Sequence, residues 1–287
     1  MAVVVIAGFS NSGKTTSLRF LPPEKTFIVN INKNKTPSFP GFKKKFTNLH
    51  KEPVMEKDGK QAIRKDGKPA FKWVGNYYQN DDYDKVNIVL NIVEKNKDIK
   101  YLVVDDVNYI MGQDIMSRIE EKSYDKYSSF AAHYNDLIDR LCSMREDMDV
   151  IIVSHIMKDE SQDGTTQTRM TSASKSLDKY AWVDGRFDYI LYMECLVDDL
   201  SGSIRYVYRT RKEGNDSCRS VYGVFKDKYI EPNIMKVLER IHAFENGDEE
   251  PEYPDDDIIA NDDGKKDDKK EEKPVVKQSK DNDDVDI

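Results

Sequence analysis

Residues 8–16, GFSNSGKTT, satisfy the spacing G-x-x-x-x-G-K-[ST] with Gly8, Gly13, Lys14 and Thr15. Glycine at both ends of the loop allows backbone that a Cβ would obstruct. The main-chain N–H groups from Gly8 through Phe9, Ser10, Asn11 and Ser12 to Gly13 can then turn toward an anion. Lys14 adds a compact cation within reach of β- and γ-phosphate oxygens, the Thr15 hydroxyl suits a Mg²⁺ ion, and Thr16 falls near an α-phosphate. These residue types at this spacing suit capture of a nucleoside triphosphate. The alternative is a glycine turn without a ligand. Context weighs against it, because an apolar run, AVVVIA, precedes the loop and a helix-forming stretch follows.

A triphosphate site also needs a metal partner, and YLVVDDVNYI supplies a candidate some 90 residues downstream. Four apolar residues drive a strand through a sheet and deliver Asp105 and Asp106 at its carboxyl end, where open α/β sheets bind ligands. Asp105 suits a water-mediated Mg²⁺ contact, and Asp106 suits orienting or deprotonating an attacking water. Two classes of nucleotide protein fit poorly. A guanine reader needs Asn/Thr-Lys-x-Asp, and the nearest string, NKNK at 32–35, ends in lysine. A small-molecule kinase would carry an arginine-rich lid, and none is evident.

These residues must be held by something, and the apolar runs indicate what. AVVVIAG, KTFIVNIN, KYLVVDDV, DVIIVSHI and FDYILYMEC each read as a strand buried on both faces. Helical patterns fall between them: TTSLRFL, Val86 to Lys95, and a long one from Gln113 to Met144 with Ile115, Ile119, Tyr127, Phe130, Tyr134, Leu137, Ile138 and Leu141 on its apolar face. Alternating strands and helices predict an α/β fold with a mostly parallel sheet covered on both sides. Two stretches break the alternation. Residues 33–83, with four prolines and two DGK turns at 58–60 and 66–68, predict a long excursion containing a hairpin. SIRYVYRTRKEGNDSCRSVYGVF predicts a terminal antiparallel hairpin turning at EGND. A short helix, NIMKVLERIHAF, follows Pro232.

The 287 residues carry a net charge of -8, but residues 246–287 alone hold 17 Asp and Glu against 7 Lys. That stretch cannot bury enough apolar surface to offset chain entropy, so we expect a domain over 1–245 and a disordered acidic tail over 246–287. The tail offers a surface for a basic protein partner, or serves only to solubilise. Cys142, Cys195 and Cys218 fall in no metal-ligand spacing and read as packing residues of a reduced protein. With no membrane-length apolar run and no signal-peptide pattern, the expectation is a cytoplasmic protein without membrane contact.

The order of GFSNSGKTT, YLVVDD, IIVSHI and YRTRKEG…RSVYGVF resembles the phage P-loop ATPases of the RecA-like class, particularly the Sak-type recombinase cores, over residues 1–240. The resemblance implies a RecA-like core that binds ATP with Mg²⁺, hydrolyses it, assembles head to tail as a homo-oligomer, and acts on single-stranded DNA in phage replication or recombination. It places Ser154 and His155 where such cores sense the γ-phosphate; simple capping of the strand by His155 is the alternative. Arg209 and Arg211, spaced to share one face of a strand, resemble paired basic fingers that reach a neighbouring subunit's γ-phosphate. The alternative is a solvated hairpin face. One departure concerns the usual catalytic glutamate beyond the second strand, where FIVNINKN offers Asn30 and Asn32, amides that cannot accept a proton.

The 33–78 stretch interleaves cations such as Lys43, Lys44, Lys45, Arg64 and Lys65 with Phe39, Phe42, Phe46, Phe71, Trp73 and Tyr77. Lysines neutralise phosphates and exposed rings stack on unpaired bases, so a single-stranded DNA surface is one reading. Rings packed onto the core with lysines facing water is the other. Two rival functions also stand, a non-catalytic ATP-dependent adaptor of a replication complex and a small-molecule phosphotransferase.

Overall fold

The first strand, β1 (Val3–Gly8), is buried almost throughout because both faces of its sheet are covered. The computed structural model describes residues 1–117, 120, 125–160, 166–170, 183–198 and 201–254. In chain order the elements after β1 are α1 (Lys14–Ser17), β2 (Thr26–Asn30), α2 (Phe42–Lys45), β3 (His50–Pro53), β4 (Phe71–Val74), β5 (Tyr77–Gln79) and α3 (Tyr83–Lys95). They continue with β6 (Tyr101–Asp105), α4 (Tyr109–Ser117), α5 (Asp125–Cys142), β7 (Asp149–Glu160), β8 (Thr166–Met170), β9 (Tyr189–Val197), β10 (Ile204–Arg209), β11 (Tyr229–Ile230) and α6 (Ile234–Asn246).

The main sheet runs β11-β10-β9-β1-β7-β6-β2-β5, with β8 paired to β7. From β9 through β5 every neighbouring pair is parallel, and β9–β10, β10–β11 and β7–β8 are antiparallel. The expectation of a mostly parallel α/β sheet therefore holds. Alternate residues of each central strand feed opposite layers. Val5 and Ala7 join Val86, Leu90, Leu137 and Leu141 beneath α3 and α5. Val4 and Ile6 join Leu18, Val237, Leu238 and Ile241 beneath α6. In α5, Phe130, Tyr134, Leu137, Ile138 and Leu141 are buried at helical spacing, which is the stripe expected of one amphipathic face.

Several expectations need correction. The terminal hairpin is β9–β10, turning between Val197 and Ile204, and not an arm closing at EGND. The second half of the anticipated hairpin forms two isolated bridges among the described residues, Thr168 to Asp216 and Ile190 to Arg219. Its local pattern alternated, but Asp216 is pulled inward by Arg209 and breaks the run. The helix expected over 113–144 is described as α4 and α5, with 118, 119 and 121–124 outside the described residues. TTSLRFL gives only one α-helical turn and then a short 3-10 turn over Leu18–Phe20, because Leu21 precedes Pro22 and is held extended. The helix expected before the tail runs to Asn246, and Arg240 bonds to Glu249 and to the Glu250 carbonyl. The tail reading beyond 254 lies outside the described residues. Cys195 is exposed, so only Cys142 and Cys218 contribute packing.

The 33–83 excursion does contain a hairpin, β3–β4, pairing His50 with Val74 and Pro53 with Phe71. Both DGK strings form tight turns, with Gly59 and Gly67 at positive φ. The excursion then returns to the sheet as β5, which pairs with β2.

Candidate functional site

The phosphate-loop motif turns directly off the carboxyl end of β1. Gly8 passes so close to β9 that a Cβ there would lie 2.9 Å from the Met193 carbonyl oxygen. Gly13 and Asn11 adopt positive φ of 95° and 63°, a conformation that glycine accepts freely and asparagine better than most residues. Ser12 N–H donates to the Phe9 carbonyl and Ser17 N–H to the Gly13 carbonyl, so the loop is closed before the helical turn begins. The Lys14 ammonium folds over this arch and donates to the carbonyls of Gly8 and Phe9, each at 2.8 Å. Burial lowers its pKa to about 8, against the opposing pull of Asp106 and Asp105.

Beside the loop, β6 ends at Asp105. One strand, β7, lies between β6 and the β1 strand that leads into the turn carrying Thr15, and the Thr15 hydroxyl lies 3.3 and 3.2 Å from the two Asp105 carboxylate oxygens. Asp105 is buried, and loss of hydration, followed by the neighbouring Asp106 charge, pushes its carboxyl up to about 7. A hydroxyl and a buried carboxylate are hard oxygen donors of the kind Mg²⁺ prefers, and a nearby dication would hold that carboxylate ionised. The residues present therefore fit the ion.

Asp106 takes a different part. It adopts a positive φ of 59°, which turns its side chain across the site. One carboxylate oxygen lies 3.1 Å from His155 Nε2, and the other accepts a hydrogen bond from the Asn32 amide at 3.2 Å. Burial raises its pKa, but the bonds from His155 and Asn32 outweigh burial and leave the carboxyl below its ordinary value. It is thus an ionised, oriented acceptor with modest basicity. His155 stands opposite Gly8 in the parallel register of β7 and β1. Ser154 and the His155 backbone N–H both donate to the Asn108 side-chain oxygen, at 3.0 and 2.7 Å, which ties the end of β7 to the loop after β6.

Together these groups enclose a cavity of about 250 Å³. Asn11, Ser12, Gly13, Lys14, Thr15, Thr16, Asp105, Asp106 and His155 all line it. Phe9 and Ser10 face a neighbouring depression with Asn108, Tyr109 and Ile156. Sequence reasoning missed Tyr206 and Lys35–Ser38, which complete the lining. The Tyr206 ring packs against Gly13, and a Cβ there would lie 3.2 Å from it. No local pattern announced either wall, because both arrive from chain distant from the motif.

The basic pair is placed elsewhere. Arg209 ends β10 and is only 4% exposed. Its guanidinium is spent internally, on Glu194 at 2.5 Å, on Asp216 at 2.7 Å and on the Arg211 carbonyl at 2.8 Å, and it lies over the Tyr192 ring. Arg211 lies past the strand end and donates to the Lys226 carbonyl at 2.5 Å. The shared strand face does not form, and neither arginine lines the cavity. Arg209 is thus held inside its own subunit by Glu194 and Asp216, which corrects its reading as a free finger toward a neighbouring subunit.

Asn30 and Asn32 also find structural employment. Asn30, on a strand two places beyond β7, donates to the Lys35 carbonyl at 2.6 Å and lies 3.1 Å from the Tyr77 hydroxyl. In the basic stretch, Phe39, Phe42, Phe46 and Tyr77 are buried as a cluster with ring centroids 5.1–6.0 Å apart. For those rings the packing alternative applies. Phe71 and Trp73 on β4 remain 54% and 45% exposed, and Lys51 lies over the Trp73 ring.

A glycine-arched loop, its lysine and a threonine–aspartate pair on a mostly parallel sheet define a P-loop nucleotide-binding domain. A family model described as an AAA domain matches residues 1–220 of the 287, and the chain belongs to that family of P-loop ATPase domains. No curated protein matches the chain. Among solved structures, it is similar to a KaiC-like protein, PH0186, from the hyperthermophilic archaeon Pyrococcus horikoshii OT3. The two share 14% identity over 74% of this chain and 79% of that one, with a TM-score of 0.39. No helix among the described residues is long and apolar enough to cross a membrane.

Proposed function

We propose that this chain binds ATP with Mg²⁺ in the 250 Å³ cavity, hydrolyses it, and couples that cycle to single-stranded DNA in phage replication or recombination, as a head-to-tail homo-oligomer. The observation that carries the reading is the approach of Thr15 to Asp105 across 90 residues of chain, beside the loop amides. In this reading residues 1–245 are the nucleotide-dependent domain, and residues 246–287 are a tail available to a basic partner in the host cytoplasm. The site residues divide the work. The loop amides and Lys14 hold the β- and γ-phosphates, Thr15 and Asp105 hold the ion, and Asp106 with His155 orients the attacking water. Mg²⁺, when bound by these residues, would supply neutralisation of the phosphate charge. The exposed Phe71 and Trp73, with lysines around them, support the β3–β4 arm as the DNA-contacting surface.

A second reading has its own observation. Asp106 is held in two hydrogen bonds and has a lowered pKa, and Asn30 and Asn32 are amides, so proton abstraction from water is poorly served. This favours slow turnover, with ATP serving as an assembly ligand of an adaptor. Titration calorimetry with Mg·ATP, together with phosphate release with and without single-stranded DNA, separates the two. Under the main reading, binding is abolished by Lys14→Ala and turnover rises with DNA. Binding with background release under every condition supports the adaptor, and no heat with Mg·ATP removes both readings.

A further inference from the structure

Hydrolysis of a triphosphate needs cationic stabilisation of the γ-phosphoryl group beyond the loop lysine, and Arg209 and Arg211 are committed elsewhere. Among the described residues lining the cavity, the lysines and arginines are Lys14 and Lys35. Lys35 arrives from the loop after β2 and lines the same cavity as the phosphate loop, with its backbone fixed by hydrogen bonds. Its carbonyl accepts from Asn30 Nδ2 at 2.6 Å and Gln79 Nε2 at 3.3 Å, and its N–H donates to the Asn32 carbonyl at 3.3 Å. Asn30 and Asn32 are both buried. Two and four residues on, Pro37 and Phe39 are buried, so the segment is pinned on both sides of Lys35. The Lys35 side chain stays exposed, and among the described residues no carboxylate lies within ion-pair distance of it. Its charge nevertheless reaches the site, where it opposes burial in setting the Asp105 carboxyl and adds to burial in lowering the Lys14 ammonium.

We propose that Lys35 is a catalytic cation acting within its own subunit, contacting the γ-phosphoryl oxygens of the nucleotide held by Lys14. The inference rests on the Mg·ATP reading above and assigns the Asn30 amide a purpose, which is to fix the backbone that presents this lysine. In the reaction the water oxygen forms a bond to the γ-phosphorus and the bond to the bridging oxygen breaks. The electron pair stays on ADP, one water proton remains on the released phosphate and the other passes to solvent. Lys35 stays protonated throughout and donates hydrogen bonds to the equatorial oxygens, which carry the charge of the transferring group.

The test uses the full chain with Lys35→Ala and Lys35→Arg. Three quantities are measured: Mg·ADP affinity, affinity for ADP with aluminium fluoride as a mimic of the transferring phosphoryl group, and phosphate release. Lys35→Ala is expected to keep Mg·ADP binding within about threefold, which also shows that it folds. It is expected to lose roughly 10²- to 10³-fold in turnover, with a comparable loss in aluminium-fluoride complex affinity. Lys35→Arg should recover part of both. Mixing Lys35→Ala with Lys14→Ala should restore nothing, because no subunit then holds both groups. Turnover and fluoride-complex affinity within threefold of wild type overturn the assignment, as does recovery on mixing, which would make the lysine act between subunits. A Mg·ADP affinity that falls as far as turnover also overturns it, because Lys35 would then only hold the diphosphate. Wild-type protein that binds no Mg·ADP strikes the nucleotide reading itself, and this one with it.

Discussion

Replacing Arg209 with methionine separates an internal ion-pair role from a finger role. The guanidinium is 2.7 Å from Asp216, whose side chain is 6% exposed, and 2.5 Å from Glu194, which is 28% exposed. At an effective dielectric near 20, a charge pair at that separation attracts by roughly 6 kcal/mol before desolvation is subtracted. Burial alone would lower the arginine's pKa, yet the bonds to Asp216 and Glu194 hold it above the ordinary value, so the guanidinium stays charged where it is buried. Removing the cation strands Asp216, for which the usual cost is about 3–5 kcal/mol. Asp216 keeps hydrogen bonds from the N–H groups of Cys218 and Glu213, so the lower end, about 3 kcal/mol, is expected. Urea unfolding should show that loss as a lower midpoint with unchanged slope. Adding Asp216→Asn to Arg209→Met should recover about 1–2 kcal/mol, because the stranded charge is gone. The folded fraction should bind Mg·ATP as wild type does. An Arg209→Met variant that unfolds within about 0.5 kcal/mol of wild type but loses turnover would refute the internal role and reinstate the finger.

Three further outcomes follow from other parts of the molecule. At Gly75, φ is 109° and a Cβ would lie 2.5 Å from the Asn48 carbonyl oxygen, so Gly75→Ala should cost at least about 2 kcal/mol in urea unfolding. Gly59→Ala, with φ of 81° and nothing within 4 Å, should cost about 1 kcal/mol, and equal losses would contradict the steric account. Cys218 is buried and its thiol is pushed up to about 12 by burial, so iodoacetamide at pH 8 should label exposed Cys195 and leave Cys218 untouched until the protein unfolds. Equal labelling rates would show that the wall around Arg209 opens readily. On the β3–β4 arm, Phe71→Ala with Trp73→Ala should weaken oligothymidylate binding at least about tenfold, since each stacked base contributes about 1–3 kcal/mol. Unchanged affinity in that variant would move the DNA contact to another surface.

Much of the site's chemistry was written in contiguous residues. GFSNSGKTT carries its own turn geometry, cation and hydroxyl, and YLVVDD carries both the drive to bury a strand and the carboxylates at its end. Five apolar runs likewise sufficed for the mostly parallel sheet, because burial on both faces leaves a local hydrophobic signature. What the tertiary structure decided concerns groups whose partners are far along the chain. Arg209 reads as an available cation until Glu194 and Asp216 are brought against it, and the competition between buried carboxylates and solvent is settled only by packing. The same holds for the rings of 33–78, four of which fold into a cluster while Phe71 and Trp73 stay outside. Lys35 and Tyr206 belong to no motif. They reach the phosphate cavity because β2 and β10 take particular places in the sheet, and strand order is set by long-range pairing that no short stretch of residues encodes.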